Sequence, residues 1–365
     1  MRQSISVLLV LALLLPLAAC SAQKPPEQTL SGLQDPSFFR NQDRGCFFIE
    51  TADSYYYLYN EKVYFSRKDK PEFYILCSKP NCSHSDEECN AYAGTALGYW
   101  AGDLYAAVLM GENKRIIRMN LDGSEHETIA PITMPVASTG ASGGTYDFTF
   151  HNGYLYYYVA AEPNSFFRVE LSSGKTERIL DELLQDDSGI SQMLRFDGDN
   201  MYFFRTALSG ERVLYQFNSV ENTLSRLWIW PENTPEAWMV NHQTVFYYSR
   251  ERGTFCEYNY STGKRAESEP QNYYAGAAYY DTDYVYLITW EDADFSNKGL
   301  SFYTLDYQFL GQLEIPNGFD FDYATQDYLF FAAEISNRLT YYLPKSSIGS
   351  GELELLPLPD PYSYR

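Results

Sequence analysis

A tyrosine-rich run that recurs about every 46 residues constrains the fold of this chain more than any other feature. Each run follows a short turn, and Asn152-Gly153 and Gly198-Asp199 are typical of β-hairpins. Aromatic residues favour strands, and the chain contains 34 Tyr and 23 Phe. The seven runs cover residues 55–59, 104–109, 154–159, 201–204, 245–248, 284–288 and 328–331. The pattern therefore predicts a repetitive all-β architecture.

A second turn lies further along several repeats, for example at Asp122-Gly123 and Thr262-Gly263. Each unit then holds four antiparallel strands, which we place at 146–150, 154–159, 166–171 and 176–180 in the third unit. Four strands repeated every ~45 residues are typical of β-propeller blades. Residues 46–358 hold about seven such units, so we predict a seven-bladed propeller, with six or eight blades as alternatives. Segment 176–184 (TERILDELL) is also the best candidate for a helical turn.

The N-terminus has the features of an export signal. Arg2 precedes an almost wholly apolar run over residues 5–19, which is shorter than the ~20 residues that span a bilayer but typical of a secretory signal. The run ends in Leu17-Ala18-Ala19-Cys20, which resembles the lipobox of bacterial lipoproteins. That resemblance implies a signal peptide at residues 1–19, lipid on Cys20, and an extracytoplasmic protein anchored to the membrane of a bacterial cell envelope.

Composition divides the rest of the chain and limits its partners. Residues 20–45 are polar and proline-containing, which predicts a flexible tether, and residues 359–365 form a short C-terminal tail. The net charge is −21. Nucleic acid is therefore excluded as a partner, because its recognition needs Lys and Arg to neutralise phosphates. The predicted partners are the membrane, through Cys20, and a glycan, peptide or envelope protein. The predicted state is a monomer.

Two further motifs connect the chain to known propellers. Segment 116–130 (IIRMNLDGSEHETIA) resembles the strand-turn-strand motif of TolB-like and related secreted propellers. The whole plan resembles a family of tyrosine-rich propeller lipoproteins from bacteria of the clostridial kind. The resemblance implies the propeller fold and little about activity.

The sharpest local motif is a C-x4-C-x-H-x4-C block formed by Cys77, Cys82, His84 and Cys89. It also resembles a motif of that clostridial family, and it falls in the connection between the first and second units. Three interpretations compete. The first is a disulfide, since exported proteins occupy a disulfide-permissive setting. Three Cys and one His could close a tetrahedral structural zinc site. Redox-active or free thiols are the third interpretation, and spacing alone does not decide.

The number of cysteines limits the disulfide interpretation. Apart from Cys20 there are five cysteines, so they cannot all pair within one chain. We predict a bridge from Cys46 to Cys82 or Cys89, which would staple the first blade near the ring closure. Cys256 falls in the third strand of the fifth unit and is predicted to be a buried free thiol.

No set of residues in the sequence has convincing catalytic spacing. The acidic pairs Asp281/Asp283 and Asp292/Asp294 do not fit an EF-hand loop and are interpreted as solvated loop charge. The leading hypothesis is a non-catalytic binding or scaffold lipoprotein. One alternative is a propeller enzyme acting on extracellular polysaccharide, and another is a metal-binding or redox protein using the Cys/His loop. No cofactor is predicted beyond a structural zinc.

Overall fold

The computed structural model describes residues 47–109, 114–132, 146–159, 165–180, 194–206, 210–230, 238–271, 274–291 and 296–359. These residues form seven four-stranded antiparallel sheets, each built from four consecutive strands and arranged around a common axis. The prediction of a seven-bladed propeller is confirmed. Across the described ranges no helix is long and apolar enough to cross a bilayer.

The strands are numbered in chain order, four to a blade, from the axis outward. Blades 1 to 3 comprise β1 (Phe48–Glu50), β2 (Ser54–Tyr59), β3 (Lys62–Arg67), β4 (Lys70–Ile75); β5 (Ala96–Trp100), β6 (Asp103–Val108), β7 (Arg115–Met119), β8 (Glu127–Pro131); and β9 (Tyr146–His151), β10 (Tyr154–Val159), β11 (Ser165–Glu170), β12 (Thr176–Ile179).

Blades 4 to 7 follow the same order. They comprise β13 (Arg195–Asp197), β14 (Asn200–Thr206), β15 (Arg212–Asn218), β16 (Thr223–Ile229); β17 (Trp238–Asn241), β18 (Thr244–Ser249), β19 (Thr254–Asn259), β20 (Lys264–Glu267); β21 (Tyr274–Tyr280), β22 (Val285–Trp290), β23 (Lys298–Tyr303), β24 (Phe309–Glu314); and β25 (Phe319–Ala324), β26 (Tyr328–Ala333), β27 (Arg338–Pro344), β28 (Leu356–Pro357).

The tyrosine-rich runs form the second strand of every blade. That strand is paired on both edges and covered on both faces by neighbouring blades. In β2, for example, the rings of Tyr55, Tyr56 and Tyr57 are all buried. Because both faces pack against apolar neighbours, the run is continuous and does not alternate with polar residues. In the described residues the core is thus seven apolar clusters between adjacent blades, to which the tyrosine-rich strands contribute many of the aromatic rings.

The helical turn predicted for segment 176–184 is wrong for its first four residues. Thr176–Ile179 is β12, the outer strand of blade 3, paired with β11. Pairing with a neighbouring strand overrides a helical preference that spans only a turn or two, since short helices are marginal by themselves. Residues 181–184 lie outside the described part of the chain.

Ring closure needs no exchanged strand. The four strands of blade 7 are consecutive in the chain, and so are those of blade 1. Phe48 of blade 1 instead stacks on Tyr323 of blade 7 with ring centroids 4.7 Å apart, and its ring lies 5.4 Å from that of Phe330. The backbone N–H of Gln326 also donates to the Glu50 carboxylate at 3.1 Å. The first and last blades therefore join through side-chain packing, as seven complete four-strand sets require.

Candidate metal centre and the cleft at the ring closure

The Cys/His block lies on the loop of residues 76–95, which joins β4 of blade 1 to β5 of blade 2. Its second half pairs with blade 1, where Val63 N–H donates to the Ala91 carbonyl at 2.8 Å and Ala93 N–H donates to the Glu61 carbonyl at 2.8 Å. Cys89 and Tyr92 are buried in a cluster with side chains of both blades. The loop is therefore part of the wedge between blades 1 and 2.

Local backbone geometry turns the ligand side chains inward. Asn81 and His84 have φ angles of 60° and 55°, in the left-handed region, which non-glycine residues adopt at a cost of about 1–3 kcal/mol. These two turns flank Cys82 and reverse the chain on either side of it. The Lys79 ammonium also donates to the Glu88 carbonyl and closes the loop across its width. Asn and His are among the non-glycine residues that adopt this region most often, so the sequence of the loop is compatible with both turns.

The structure brings Cys77, Cys82, His84 and Cys89 together. One ligand atom from each side chain lies within 4.8 Å of all the others, and His84 Nδ1 is 3.3 Å from Cys89 Sγ. In a tetrahedral zinc site with Zn–S bonds of ~2.3 Å and a Zn–N bond of ~2.0 Å, ligand atoms lie roughly 3.5–3.8 Å apart. The donor set and its spacing fit a closed, four-ligand metal centre.

Backbone amides prepare two of these sulfurs to carry negative charge. Cys77 accepts hydrogen bonds from the amides of Lys79 and Asn90, and Cys89 Sγ accepts one from Ala91 at 3.4 Å. Such outer contacts orient metal ligands and tune their affinity for the ion. They favour a cluster of thiolates rather than a buried apolar thiol.

The two sulfurs nevertheless differ in acidity. Burial works against ionisation of Cys77, but its amide donors and the neighbouring thiols outweigh burial and lower its pKa. Burial, together with the neighbouring Cys77 and Cys82, raises the pKa of Cys89 to about 12. The Cys89 thiol therefore holds its proton, which a cation must displace to bind all three sulfurs.

Blade 2 holds the loop from the other side. The Arg115 guanidinium donates to the Glu87 carboxylate at 2.9 Å, and His126 Nε2–H donates to the Asn90 carbonyl at 3.0 Å. Gly123 turns with φ 78°, and a Cβ there would lie 2.7 Å from the Leu76 carbonyl oxygen. Any larger residue would push the outer turn of blade 2 away from the loop, so the junction depends on this close approach.

The described cysteines are all free thiols. No disulfide forms among Cys77, Cys82, Cys89 and Cys256. None of their sulfurs lies at the bonding distance of about 2.05 Å from another. Cys46 lies outside the described residues, so its bridge to Cys82 or Cys89 stays a prediction. Cys20 lies outside them as well. Cys256 is fully buried in β19, the third strand of blade 5, as the sequence predicted.

A second polar cluster corrects the interpretation of Asp281 as solvated loop charge, whereas Asp283 is exposed, as that interpretation expects. Asp281 is 0% exposed, and its carboxylate accepts hydrogen bonds from Lys345 Nζ at 2.8 Å and from the Tyr286 hydroxyl. Lys345 Nζ also lies 2.6 Å from Asp283. The partner is 64 residues away in blade 7, so no local pattern could reveal this pair. Asp292 and Asp294 lie outside the described residues.

This cluster forms one wall of a cleft of about 800 Å³ where blades 6, 7 and 1 meet. The cleft opens on the face opposite the loops that join consecutive blades, because turns between the first and second strands and between the third and fourth strands line it. Its lining residues are Lys68, Asp69, Asp283, Tyr284, Gln326, Asp327, Tyr328, Pro344, Lys345 and Ser346. The sequence analysis did not single out this cleft.

The comparisons with known proteins give structural likenesses at low sequence identity. No protein-family model matches the sequence, and no curated protein matches it. Among solved structures, the computationally designed protein Ika8 is similar with a TM-score of 0.47 and 9% identity, over 90% of this chain and 98% of that chain. A protein from Lactobacillus plantarum has a TM-score of 0.47 and 13% identity, over 86% and 95%. BamB from Moraxella catarrhalis has a TM-score of 0.41 and 11% identity, over 85% and 97%. Likeness at this level carries no argument about function.

Proposed function

We propose that this chain is a non-catalytic binding or scaffold propeller of a bacterial cell envelope, whose first two blades are locked together by a structural zinc ion. The observation that carries the proposal is the convergence of Cys77, Cys82, His84 and Cys89 on one point within the wedge between blades 1 and 2. Four protein ligands leave no open position for a substrate, which is typical of structural rather than catalytic zinc.

Zinc is favoured over other ions by the chemistry of the donors. Thiolate and imidazole ligands in a tetrahedral set suit zinc, whereas calcium and magnesium take oxygen ligands. Asp86, Glu87 and Glu88 lie in the same loop and add a negative field that favours a cation. When bound, zinc would cross-link residues 77–89 and so stiffen the junction between this loop and blade 2. The Arg115 and His126 contacts already stabilise the same junction.

Native mass spectrometry of the soluble domain from Ser21 onward, which lacks the lipid anchor, tests the metal. We expect a mass gain of one zinc ion, with Cys77, Cys82 and Cys89 alkylated only after unfolding. A mass lower by two hydrogens, with two cysteines protected after unfolding without reductant and Cys82 or Cys89 among them, would replace the metal by a disulfide. Metal-free thiols that cycle between oxidised and reduced forms would support the redox alternative.

The scaffold role and the lipid anchor need separate tests. Incubation with extracellular polysaccharides, followed by product analysis, should show no turnover, and any turnover would favour the propeller-enzyme alternative. Metabolic labelling with radioactive palmitate should label the wild-type chain and leave a Cys20→Ala variant unlabelled. Equal labelling of both chains would contradict the anchor.

A further inference from the structure

The cleft at the ring closure has walls that are fixed before any ligand arrives. Lys345 is 4% exposed and bonds to Asp281 and Asp283 of blade 6 at 2.8 and 2.6 Å. On the opposite wall, Lys68 Nζ bonds to Glu50 at 2.7 Å, and Glu50 accepts the Gln326 N–H of blade 7. These contacts tie all three blades together beneath the cleft. Such a preformed pocket of about 800 Å³ lies in the size range of small-molecule sites.

The lining excludes apolar ligands and anions. Every lining side chain except that of Pro344 carries a polar group, so an apolar ligand would strip water from many groups without replacing it. Both lysines are already neutralised, Lys68 by Glu50 and Lys345 by Asp281 and Asp283. An anion would therefore meet a surplus of carboxylates and no available cation.

The lining also disfavours a metal ion. In the described part of the chain, the Cys/His cluster is the only group of three or more potential ligands close enough to hold one ion. The carboxylates of the cleft are thus spread over its walls. Asp69 is paired with Arg67 at 2.9 Å and Asp283 with Lys345. Within the described residues, only Asp327 among the lining carboxylates makes no ion pair.

An uncharged ligand with many hydroxyl groups fits the polar groups that line the cleft. Asp327 and Gln326 are exposed at the tip of one turn and offer acceptors and an amide donor. Burial, followed by the neighbouring Asp327 carboxylate, raises the pKa of Tyr328, so its hydroxyl stays protonated and can donate. The half-buried rings of Tyr284 and Tyr328 line the cleft beside these polar groups, with Lys345 Nζ 5.4 Å from the centroid of the Tyr284 ring. Aromatic rings with a polar tip suit a ligand that is apolar on one face and polar at its edges.

We propose that this cleft binds a short neutral oligosaccharide, with Asp327 and Gln326 contacting its hydroxyl groups and Tyr284 and Tyr328 contacting its rings. The inference rests on the proposed binding function and names its ligand class and its location. The site draws on turns of three blades, so it exists only in the closed ring. It lies on the face opposite the loop that carries the metal centre, so sugar binding and metal binding are separable.

The test uses the full chain purified in detergent and titrated with four neutral tetrasaccharides, made of glucose in β linkage, glucose in α linkage, mannose and N-acetylglucosamine. Saturation-transfer NMR reports binding up to millimolar concentration. We expect at least one tetrasaccharide to bind, and Asp327→Asn to weaken it about tenfold or more, since hydrogen bonds to a charged acceptor are the stronger ones. Asp199→Asn is the matched control, because Asp199 is an exposed aspartate in the corresponding turn of blade 4, outside the cleft.

Three results would overturn the inference. One is no binding of any tetrasaccharide to a chain that is folded by circular dichroism. Another is sugar binding that Asp327→Asn and Asp199→Asn leave equally strong. The third is binding of spermine or inorganic phosphate that depends on Asp327 in the absence of sugar binding. Any of these results, obtained with a zinc-loaded chain, would contradict the sugar site and leave the proposed scaffold function unaffected. Hydrolysis of a bound tetrasaccharide would instead contradict the non-catalytic role and keep the sugar site.

Discussion

Replacing His84 by asparagine isolates the metal ligand from the backbone around it. His84 has a φ of 55°, and asparagine tolerates the left-handed region better than alanine does. His84→Asn therefore keeps the turn and removes the imidazole nitrogen. His242→Asn is the matched control, since His242 also has a positive φ of 41° and is exposed on a turn of blade 5.

The size of the effect follows from the number of ligands. Four side chains converge on the site, and four-ligand structural zinc sites contribute roughly 10–16 kcal/mol of apparent binding free energy at neutral pH. An even share is roughly 2.5–4 kcal/mol for each ligand, which corresponds to a loss of about two to three orders of magnitude in affinity. At saturating zinc, the free energy of unfolding should fall by the same roughly 2.5–4 kcal/mol, because only the folded state holds the assembled site.

The assay is competition for zinc with a chromophoric chelator, followed by urea unfolding with and without added zinc. We expect His84→Asn to lose zinc to the chelator and to lose about one ligand's share of the zinc-dependent stability, while His242→Asn behaves as wild type. Affinity and zinc-dependent stability that remain unchanged in His84→Asn would refute the assignment of His84 as a ligand. Equal losses in both variants would show that the effect is not specific to the Cys/His cluster.

Three further predictions follow from the packing between blades. Lys345→Met should lower the free energy of unfolding in urea by roughly 3–5 kcal/mol, because it leaves the Asp281 carboxylate buried without its cation. Asp281→Asn in the same chain should restore part of the loss. Full stability of Lys345→Met would contradict a stabilising role for the Lys345–Asp281 ion pair. Phe48→Ala should cost roughly 3–5 kcal/mol by opening the stack that closes the ring on Tyr323, and a loss below ~1 kcal/mol would show that closure lies elsewhere. Burial lowers the pKa of His151 in the folded chain, whereas the unfolded chain has an ordinary His pKa of ~6.5 and binds the proton more readily. The stability that this difference allows above pH ~6.5 is therefore lost as the pH falls toward the folded-state pKa. His151→Gln should reduce the loss of stability that unfolding curves show between pH ~7 and ~5.

The sequence by itself determined the repeating unit, because the signals for strands and turns are local. Turn residues such as Gly198-Asp199 and the tyrosine runs that follow them specify hairpins within a few residues, and covering both faces of the second strand requires neighbouring blades. The count of seven followed from that spacing. The sequence also placed four candidate ligands within 13 consecutive residues, Cys77 to Cys89, so their nearness in space followed from their nearness along the chain.

Only the tertiary structure decided what those ligands and the acidic turns do. Left-handed turns at Asn81 and His84 and amide donors to Cys77 set the four ligand atoms at metal-site distances, and the spacing of the cysteines carries no information on such dihedral angles. Asp281 of blade 6 accepts a hydrogen bond from Lys345 of blade 7. The burial of Asp281 therefore depends on how the ring closes and not on its neighbours in sequence. The cleft exists for the same reason. Its walls come from turns of blades 6, 7 and 1, which only the curvature of the closed ring brings together.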